Sequence, residues 1–359
     1  MELPMNDFTS RLGLALPLVQ APMAGVSTPA LAAAVSNAGG LGALGLGAGD
    51  AQAARKAIAD TRALTSRPFA VNVFCHRPGV ADPAREAAWL RALAPRFAEF
   101  GATPPAALKE IYTSFQADED MLQMLLETRP AVVSLHFGLP ERKKLDALRA
   151  AGIYLMATAT QPDEARRIAE AGVDAIVAQG IEAGGHRGTF DDTPRDERLG
   201  TMALTRLLAA RLQRPVIAAG GIMDGGGIAA ALALGAQAAQ LGTAFITCPE
   251  SSADAAYRQA LLGHAHVATT FTRAISGRLA RSVVNRFTEF GDAADTPPVP
   301  GYPMTYDAGK ALNAAAKAKG EHGYAAQWAG QAAALSRGLP AAQLVAALAE
   351  EWRQAQASA

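Results

Sequence analysis

The sequence predicts an α/β fold, a (β/α)8 TIM barrel with a smaller second domain that acts as a lid. Eight short apolar runs alternate with longer stretches of helical period over residues 12–262. The runs are continuously apolar, as expected for parallel strands that are buried on both faces. An open doubly wound sheet is the competing prediction. The count of eight and the lack of a GxGxxG motif after the first run favour the closed barrel.

The predicted strands and helices alternate through most of this region. Strands are predicted over residues 18–23, 41–46, 69–74, 132–137, 154–159, 175–179, 215–219 and 238–241. Helices are predicted over residues 29–37, 50–63, 140–150, 162–171, 201–212 and 228–234. The helical stretches are rich in alanine, arginine and glutamate, which favour helix over strand.

Two segments are longer than a barrel requires. Residues 81–129, between the third and fourth strands, predict a mostly helical insertion. Residues 263–359 predict the lid segment and closing helices, because a long extra segment in a compact domain is usually functional or a subdomain. The predicted domains are therefore 1–262 for the barrel and 263–359 for the lid.

Composition and charge restrict the class of function. The chain has 359 residues with 33 basic and 33 acidic side chains, so its formal net charge is zero. A neutral chain has no overall field that attracts nucleic acid or an anionic membrane. No uninterrupted apolar run predicts a transmembrane helix, and the start MELPMNDF lacks the regions of a secretory signal. Cys75 and Cys248 are expected as free thiols, so a cytoplasmic location is the expectation.

The first candidate site residues lie at the carboxyl ends of the predicted strands, where enzymes with this fold hold their active sites. These residues are Ala21, Pro22, Met23, Asn72, His136, Thr158, Gln179, Gly220, Gly221, Gln240, Leu241, Gly242 and Thr243. Among them, His136 ends the fourth strand in SLHFGL and faces the same mouth. The alternative for His136 is a structural histidine that bonds a neighbouring loop.

The strongest local motif follows the sixth strand and reads QGIEAGGHRGTF from Gln179. Gly184 and Gly185 precede His186, and Gly188 follows it, so that the backbone can approach a flat ligand closely. A histidine titrates near neutrality, so His186 suits proton transfer or hydrogen bonding to an anionic substrate. The alternative is a histidine that only hydrogen-bonds a loop.

Glycines at the ends of the seventh and eighth strands predict a phosphate site. The seventh strand ends in AAGGI, with Gly220 and Gly221, and the eighth ends in QLGT from Gln240. The loops after these two strands usually bind phosphate in this fold, through backbone N–H groups and a helix N-terminus. Tight packing of small residues is the alternative. Together with the open glycine surfaces elsewhere, a phosphate here indicates a phosphorylated planar cofactor.

Other patterns restrict the chemistry. No cluster of His, Cys, Asp and Glu has the spacing of a metal site, so none is predicted. No GxSxG motif is present, which disfavours a serine hydrolase. Arg273, Arg278, Arg281 and Arg286 are expected on a solvated or salt-bridged face rather than in an anion site.

At these motifs the sequence resembles the class I nitronate monooxygenases, formerly called 2-nitropropane dioxygenases. The matching blocks are QAPMAGVSTPALAAAVSNAGGLGALG from Gln20, NVFCHRP from Asn72, SLHFGLP from Ser134, QGIEAGGHRGTF from Gln179, PVIAAGGI from Pro215, QLGTAF from Gln240, TRAISGRLAR from Thr272 and the PGYP turn from Pro300. They extend over nearly the whole chain. The resemblance implies an FMN-dependent (β/α)8 enzyme with a second small domain.

The resemblance also implies roles for individual residues. His186 corresponds to the catalytic histidine. Residues implied to bind the flavin ring, its ribityl chain or its phosphate are Ala21, Pro22, Met23, Asn72, Gln179, Gly184, Gly220, Gly221, Gln240, Leu241, Gly242 and Thr243. Residues implied to surround the substrate are Tyr112, His136, Tyr257 and Tyr302.

The reaction that the resemblance implies is oxidation of an alkyl nitronate, such as propionate 3-nitronate, by O2. It yields a carbonyl compound and nitrite through a flavin semiquinone, with no need for reduced nicotinamide. Two roles stay open for His186, which either orients the nitronate or acts as a base on a neutral nitroalkane. The implied partners are the nitronate and O2, without nucleic acid or membrane, and a homodimer is left open.

Two alternatives to this function stay open. A related flavin barrel that reduces enoyl thioesters or quinones with NAD(P)H shares the GGH loop. A flavin- or phosphate-binding protein without catalysis is the other alternative. The two differ in whether NAD(P)H bleaches the flavin and in whether any nitronate is turned over.

Overall fold

The computed structural model describes residues 6–191, 196–263 and 266–357. The strands in this part of the chain are β1 (Leu18–Gln20), β2 (Gly42–Gly45), β3 (Phe69–Phe74), β4 (Val132–His136), β5 (Tyr154–Ala159), β6 (Ala175–Gln179), β7 (Gly185–His186), β8 (Val216–Ala219), β9 (Ala238–Leu241), β10 (Thr269–Thr272) and β11 (Ala280–Val283). Eight of them form a parallel sheet in the order β1, β9, β8, β6, β5, β4, β3, β2. The other three form an antiparallel sheet in the order β10, β11, β7.

The helices form an outer ring and part of the cover. They are α1 (Asp7–Leu12), α2 (Pro29–Asn37), α3 (Ala51–Leu64), α4 (Pro83–Glu99), α5 (Glu119–Thr128), α6 (Arg142–Ala150), α7 (Pro162–Glu170), α8 (Thr201–Arg211), α9 (Gly225–Ala233), α10 (Thr243–Ile246), α11 (Ala255–Leu262), α12 (Arg286–Asp292), α13 (Met304–Lys317) and α14 (Ala341–Ala357). Several begin at a side chain that caps the first turn, as Thr28, Asp50 and Asp118 do for α2, α3 and α5. None of the helices in the described ranges is both long and apolar enough to cross a membrane.

The predicted barrel is confirmed, and its seam lies between β1 and β2. One bridge joins Val19 to Leu41, with Gln20 N donating to Leu41 O at 2.9 Å and Leu41 N donating to Leu18 O at 2.8 Å. The buried Gln20 side chain adds a bond, because its Oε1 accepts from Ala43 N at 2.8 Å. The side chain of Gln20 thus supplies a hydrogen bond between two strands that make few backbone hydrogen bonds to each other.

The first strand is shorter than predicted. It ends at Gln20, because Pro22 has no N–H with which to continue the ladder. Ala21 makes a last bond to Leu241 O at 2.8 Å, and the chain then turns, with Val26 N donating to Met23 O at 3.0 Å. Residues 21–26 thereby leave the sheet at its carboxyl edge.

The sequence patterns missed helix α1, which closes the amino end of the barrel. Phe8 is fully buried among the side chains of the barrel interior, and its ring centroid lies 6.1 Å from that of Tyr154. Asn6 and Thr9 form a capping box at the start of the helix. Six residues are too few to show a helical period, so the cap was the only available signal.

Each of the two extra segments, residues 81–129 and residues 263–359, contributes one part to the outer ring of the barrel and another part to the cover over the barrel mouth. Within 81–129, α5 packs beside α3 and α6 in the outer ring, whereas Trp89 and Phe97 of α4 pack with Leu312 of α13. Within the C-terminal segment, α14 returns to the ring and packs on α9 and α2. The cover therefore contains α4 as well as α12 and α13. The domain bounds 1–262 and 263–359 stay a prediction.

The expected arginine face is wrong for two of its four members. Arg278 and Arg281 are only 4% and 5% exposed. Arg281 donates to Ile181 O at 3.1 Å, and Arg278 donates to Thr189 O. Backbone carbonyls stabilise these guanidinium groups inside the protein, which a charge pattern does not reveal. Arg286 meets the expectation, because it pairs with two glutamates.

Candidate active site

A cavity of about 710 Å³ lies at the carboxyl ends of the barrel strands. One wall is formed by the carboxyl ends of the eight barrel strands, β1 to β6, β8 and β9, and the other by α13 and the segment 325–332. The predicted site residues that line it are Ala21, Pro22, Met23, Asn72, Tyr112, His136, Thr158, Gln179, Gly184, His186, Gly220, Gly221, Gln240, Gly242, Thr243, Tyr257 and Tyr302. Leu241 differs, because its side chain is buried in the apolar layer between the barrel and its helices. The roles assigned to these residues stay predictions.

Glycines form much of the strand-end wall, for two separate reasons. Gly220 and Gly221 have φ values of 122° and 70°, which side chains other than glycine rarely adopt. At Gly45 and Gly184 the reason is close packing, because a Cβ would lie 2.5 Å from Ala24 N and 2.6 Å from the carbonyl carbon of Ala329. This wall is therefore mainly backbone.

The three helices that begin near this wall differ in how their first N–H groups are used. Glu182 accepts from Thr201 N at the start of α8, at 2.8 Å. Asp224 and Glu351 accept from Gly227 N and Gly225 N at the start of α9, at 2.7 and 2.9 Å. The short helix α10, which starts at Thr243, has no side-chain cap. The carboxylates disfavour a phosphate at α8 and α9 but not at α10.

His186 is held at the edge of the cavity by a two-stranded pairing. Strand β7 pairs with β11, so that His186 lies opposite Ala280. The next residue, Arg187, is 1% exposed and forms a two-pronged ion pair with Asp196, at 2.8 and 2.9 Å. Its third nitrogen donates to Gln179 O at 2.9 Å. This anchoring fixes the backbone on which His186 sits.

The imidazole of His186 contacts both the protein and the cavity. Its Nε2 lies 2.8 Å from the Oγ of Ser276, and its ring centroid is 5.1 Å from that of Trp328. Burial, followed by the charges of His136 and Arg278, lowers the pKa of His186 to about 3. The ring is therefore neutral near pH 7, and one of its two nitrogens carries no hydrogen. The bond to Ser276 agrees with the structural alternative, but the ring also lines the cavity.

His136 lies behind the same loop. Its Nδ1 is 3.1 Å from Thr158 Oγ1, and the ring also makes a hydrogen bond to the backbone of His186. Burial, followed by the charge of Arg278, lowers its pKa to about 3. His136 thus supports the position of His186, in addition to lining the cavity.

The two amide side chains predicted to bind the flavin also support neighbouring strands. Gln179 donates to His186 O at 2.9 Å and accepts from Gly188 N at 2.8 Å, so it holds the loop on both sides of the histidine. Asn72 donates to the Oγ and the carbonyl of Ser134, at 2.9 and 3.0 Å. The side-chain oxygen of Asn72, Oδ1, is then left to accept a hydrogen bond from a ligand.

The opposite wall is aromatic and carries a cation. Lys310 Nζ lies 4.8 Å from the ring centroid of Tyr112 and 5.5 Å from that of Tyr306. Burial lowers the pKa of Lys310. The hydroxyl of Tyr302 is buried and has no hydrogen-bond partner among the described residues, whereas Tyr257 donates to a backbone carbonyl. A buried hydroxyl without a partner costs about 1–3 kcal/mol, so it suits a ligand acceptor.

Sequence reasoning missed most of this second wall. Tyr306, Lys310, Asn313 and Lys317 all line the cavity from α13. Their spacing of four, three and four residues places them on one face of a helix, and that period directly after the PGYP turn was a usable signal. For Trp328 no local pattern existed, because its segment belongs to no long helix or strand.

A sequence model of the nitronate monooxygenase family matches residues 7–351. Among similar proteins, a nitronate monooxygenase from Paraburkholderia phytofirmans is 66% identical, over 96% of this chain and 94% of that protein. One from Pseudomonas aeruginosa is 59% identical, over 97% of this chain and all of that protein.

Two solved structures are also similar to the whole chain, at lower identity. A nitroalkane oxidase from Streptomyces ansochromogenes superimposes with a TM-score of 0.89 at 41% identity, over 98% of this chain and 99% of that chain. FabK from Thermotoga maritima superimposes with a TM-score of 0.74 at 28% identity, over 99% and 98% of the two chains.

Proposed function

The chain belongs to the nitronate monooxygenase family, and from this premise we propose that it uses FMN and O2 to oxidise an alkyl nitronate of the propionate 3-nitronate type. The products are a carbonyl compound and nitrite. As a member of this family the protein is a flavin-dependent oxidoreductase. One observation carries the finer proposal, which is that His186, Lys310 and Tyr302 meet over a glycine wall in a single cavity.

The backbone wall fits a flat ring with a phosphate tail. Ala21, Pro22 and Met23 have small or flexible side chains where the chain leaves the sheet, and Asn72 Oδ1 offers an acceptor to a ring N–H. At the other end, the glycine turn at Gly220–221 and the uncapped start of α10 suit a phosphate. A monophosphate is sufficient for these groups, which supports FMN.

The aromatic wall fits an anion. Lys310 lies against the rings of Tyr112 and Tyr306, and its partial burial strengthens its attraction for a negative group. Burial raises the pKa of Tyr302 well above its usual value and that of Tyr112 to about 12, so both remain protonated donors. A nitronate or a carboxylate would accept from these hydroxyls and pair with Lys310.

The protein's own residues therefore orient the substrate and exclude water from the imidazole of His186. Lys310 and Tyr302 hold the anionic end of the substrate, and His186 faces its reacting end. Phe137 and Trp328 cover the imidazole, with ring centroids 5.7 and 5.1 Å away. When bound, the flavin supplies the electron transfer and the reaction with O2.

The experiment that tests this function combines cofactor identity with turnover. The purified protein is denatured, the released flavin is identified by chromatography, and oxygen uptake and nitrite are measured with propionate 3-nitronate. We expect FMN, and oxygen uptake that depends on the nitronate. Release of FAD alone, or no uptake with any nitronate, would overturn the proposal.

A reductase is the second candidate, and the GGH loop at Gly184, Gly185 and His186, which related NAD(P)H-dependent flavin barrels share, is the observation that favours it. A reductase would bleach the flavin rapidly with NADH or NADPH under anaerobic conditions. We expect no such bleaching while nitronate turnover is present. Rapid bleaching without nitronate turnover would support the reductase instead.

A further inference from the structure

Ser276 lies where it can decide which ring nitrogen of His186 carries the proton. The residue is fully buried in the turn before β11, and the pairing of β11 with β7 brings it beside the histidine. Its Oγ lies 2.8 Å from His186 Nε2. In a neutral imidazole only one nitrogen has a hydrogen, and the hydrogen bond at the other nitrogen fixes the choice.

The remaining contacts of the hydroxyl settle its direction. Ser276 Oγ lies 3.1 Å from the carbonyl oxygen of Arg278, and the N–H of Arg278 points back to Oγ at 3.3 Å. A carbonyl has no hydrogen to give, so the approach of the two oxygens is favourable only if the serine hydrogen lies between them. The single hydrogen of the hydroxyl is then used, and Oγ can only accept from its other neighbours.

We propose that Ser276 is a positioning residue that fixes neutral His186 with its hydrogen on Nε2 and turns an unprotonated Nδ1 toward the cavity. Nδ1 makes no hydrogen bond among the described residues, and it is not one of the buried atoms left without a partner. Because the ring lines the cavity, Nδ1 is the atom that a ligand meets.

This inference rests on the proposed function and chooses between the two roles left open for His186. An unprotonated Nδ1 accepts a hydrogen bond or a proton and does not donate one. Toward a neutral nitroalkane, the C–H bond next to the nitro group breaks, the proton passes to Nδ1, and the electron pair stays on the substrate as a nitronate. His186 is then an imidazolium that still donates from Nε2 to Ser276.

The tautomer can be measured without turnover. Long-range proton–nitrogen NMR spectra of the flavin-loaded protein, labelled with ¹⁵N-histidine and recorded at pH 7.5, distinguish a protonated from an unprotonated ring nitrogen. The His186→Asn variant identifies the signals of His186. We expect Nε2 protonated and Nδ1 unprotonated in the wild type. The reverse assignment in the wild type would overturn the inference.

Variants test whether Ser276 is the cause. Ser276→Ala should mix the two tautomers and lower kcat with a neutral nitroalkane such as nitroethane by at least about tenfold, with a smaller change in KM. Ser276→Thr keeps the hydroxyl and should restore the tautomer. An unchanged tautomer in Ser276→Ala would remove the serine from this role.

Ser36 provides the matched control. Its hydroxyl is also buried, donates to Pro68 O at 2.9 Å and accepts from Gly42 N at 3.1 Å, but it lies at the amino end of the barrel. Ser36→Ala should cost stability and leave the tautomer unchanged. If the wild type oxidises no nitronate but shows the Nε2–H tautomer, the proposed function fails and this inference stands. With turnover and the Nδ1–H tautomer, only this inference fails.

Discussion

The two walls of the cavity are built from different materials. The strand-end wall is backbone, and its main residues are glycines at the ends of β8 and β9 and in the loop before His186. The opposite wall is side chain, with tyrosines, Trp328 and Lys310 contributed by α13 and by the segment after it. The strand-end wall suits a flat cofactor of fixed shape. The side-chain wall suits a substrate, which it can select by charge and size.

The difference teaches where specificity resides in this fold. A backbone wall offers N–H groups and space, which one cofactor uses in the same way in every turnover. The side-chain wall carries the only lysines on the cavity surface of the described residues, Lys310 and Lys317, so substrate charge is recognised there. We therefore expect substitutions in the two walls to separate cofactor retention from substrate binding.

His186, where the two walls meet, gives the largest expected effect. His186→Asn should keep the flavin bound and lower turnover by about 10²- to 10⁴-fold, because a positioned proton acceptor contributes that much. Oxygen uptake at a saturating concentration of a neutral nitroalkane measures the loss, and the flavin-to-protein absorbance ratio is the internal control. A variant with wild-type rates would exclude His186 from the mechanism.

The sequence predicted the first wall far better than the second, for a physical reason. Glycines such as Gly220 and Gly221 are required locally, by their own φ values, so their pattern is visible in a short stretch of chain. Lys310 belongs to the site only because α13 packs across the barrel mouth. Its helical spacing with Tyr306, Asn313 and Lys317 shows that they share a face, but not what that face covers. The burial of Arg278 was missed for the same reason, since it depends on the distant partner Thr189, whereas helix α1 was missed because it is too short to show a helical period.

Lys310 should give the next largest effect and act on substrate binding alone. Lys310→Met should raise KM for an anionic nitronate roughly 10- to 100-fold, since a charge-assisted hydrogen bond contributes about 1.5–3 kcal/mol. The flavin content should stay at the wild-type level. Steady-state kinetics over a range of nitronate concentrations provide the measurement.

Lys317→Met is the matched control for this prediction. Lys317 lies on the same face of α13, but it is exposed and already paired with Asp254 at 2.8 Å. Its loss should change KM much less. Equal effects of the two substitutions would mean that the cavity recognises general positive charge rather than the Lys310 position.

Gly221 tests the backbone wall in isolation. Gly221→Ala forces a side chain into a left-handed conformation at φ 70°, at a cost of about 1–2 kcal/mol, and places a Cβ 3.2 Å from Glu182 Cβ. We expect roughly 5- to 30-fold weaker flavin binding, with KM for the nitronate nearly unchanged in the flavin-loaded fraction. Fluorescence titration of the apoprotein with FMN measures the change.

Gly152 separates strain from cofactor contact. Its φ is 79°, and a Cβ there would meet no atom within 4 Å, but it lies in the turn after α6, away from the cavity. Gly152→Ala should lower the thermal midpoint to a similar degree and leave flavin affinity intact. Loss of flavin in this variant would show that the effect at Gly221 is global destabilisation.

The pH dependence of stability is the smallest effect per residue, and it should arise from three buried histidines whose rings lie against Phe137. Burial lowers the pKa of His76 to about 4 and those of His136 and His186 to about 3, against 6.5 for an ordinary histidine. Between pH 6.5 and about 4, the unfolded chain therefore binds protons that the folded protein does not, so stability falls as pH falls.

At pH 5.5 this linkage amounts to at most about 1.4 kcal/mol for each of the three histidines. The thermal midpoint of the flavin-loaded protein should drop between pH 7.5 and 5.5, and His76→Gln should remove about one third of that drop. His322→Gln, which changes a histidine outside this cluster, should leave the drop as it is. An equal drop in thermal midpoint in His76→Gln and in the wild type would mean that His76 takes up its proton in the folded state. The ring that would then face the charged imidazole is Tyr302, whose centroid lies 4.9 Å from that of His76.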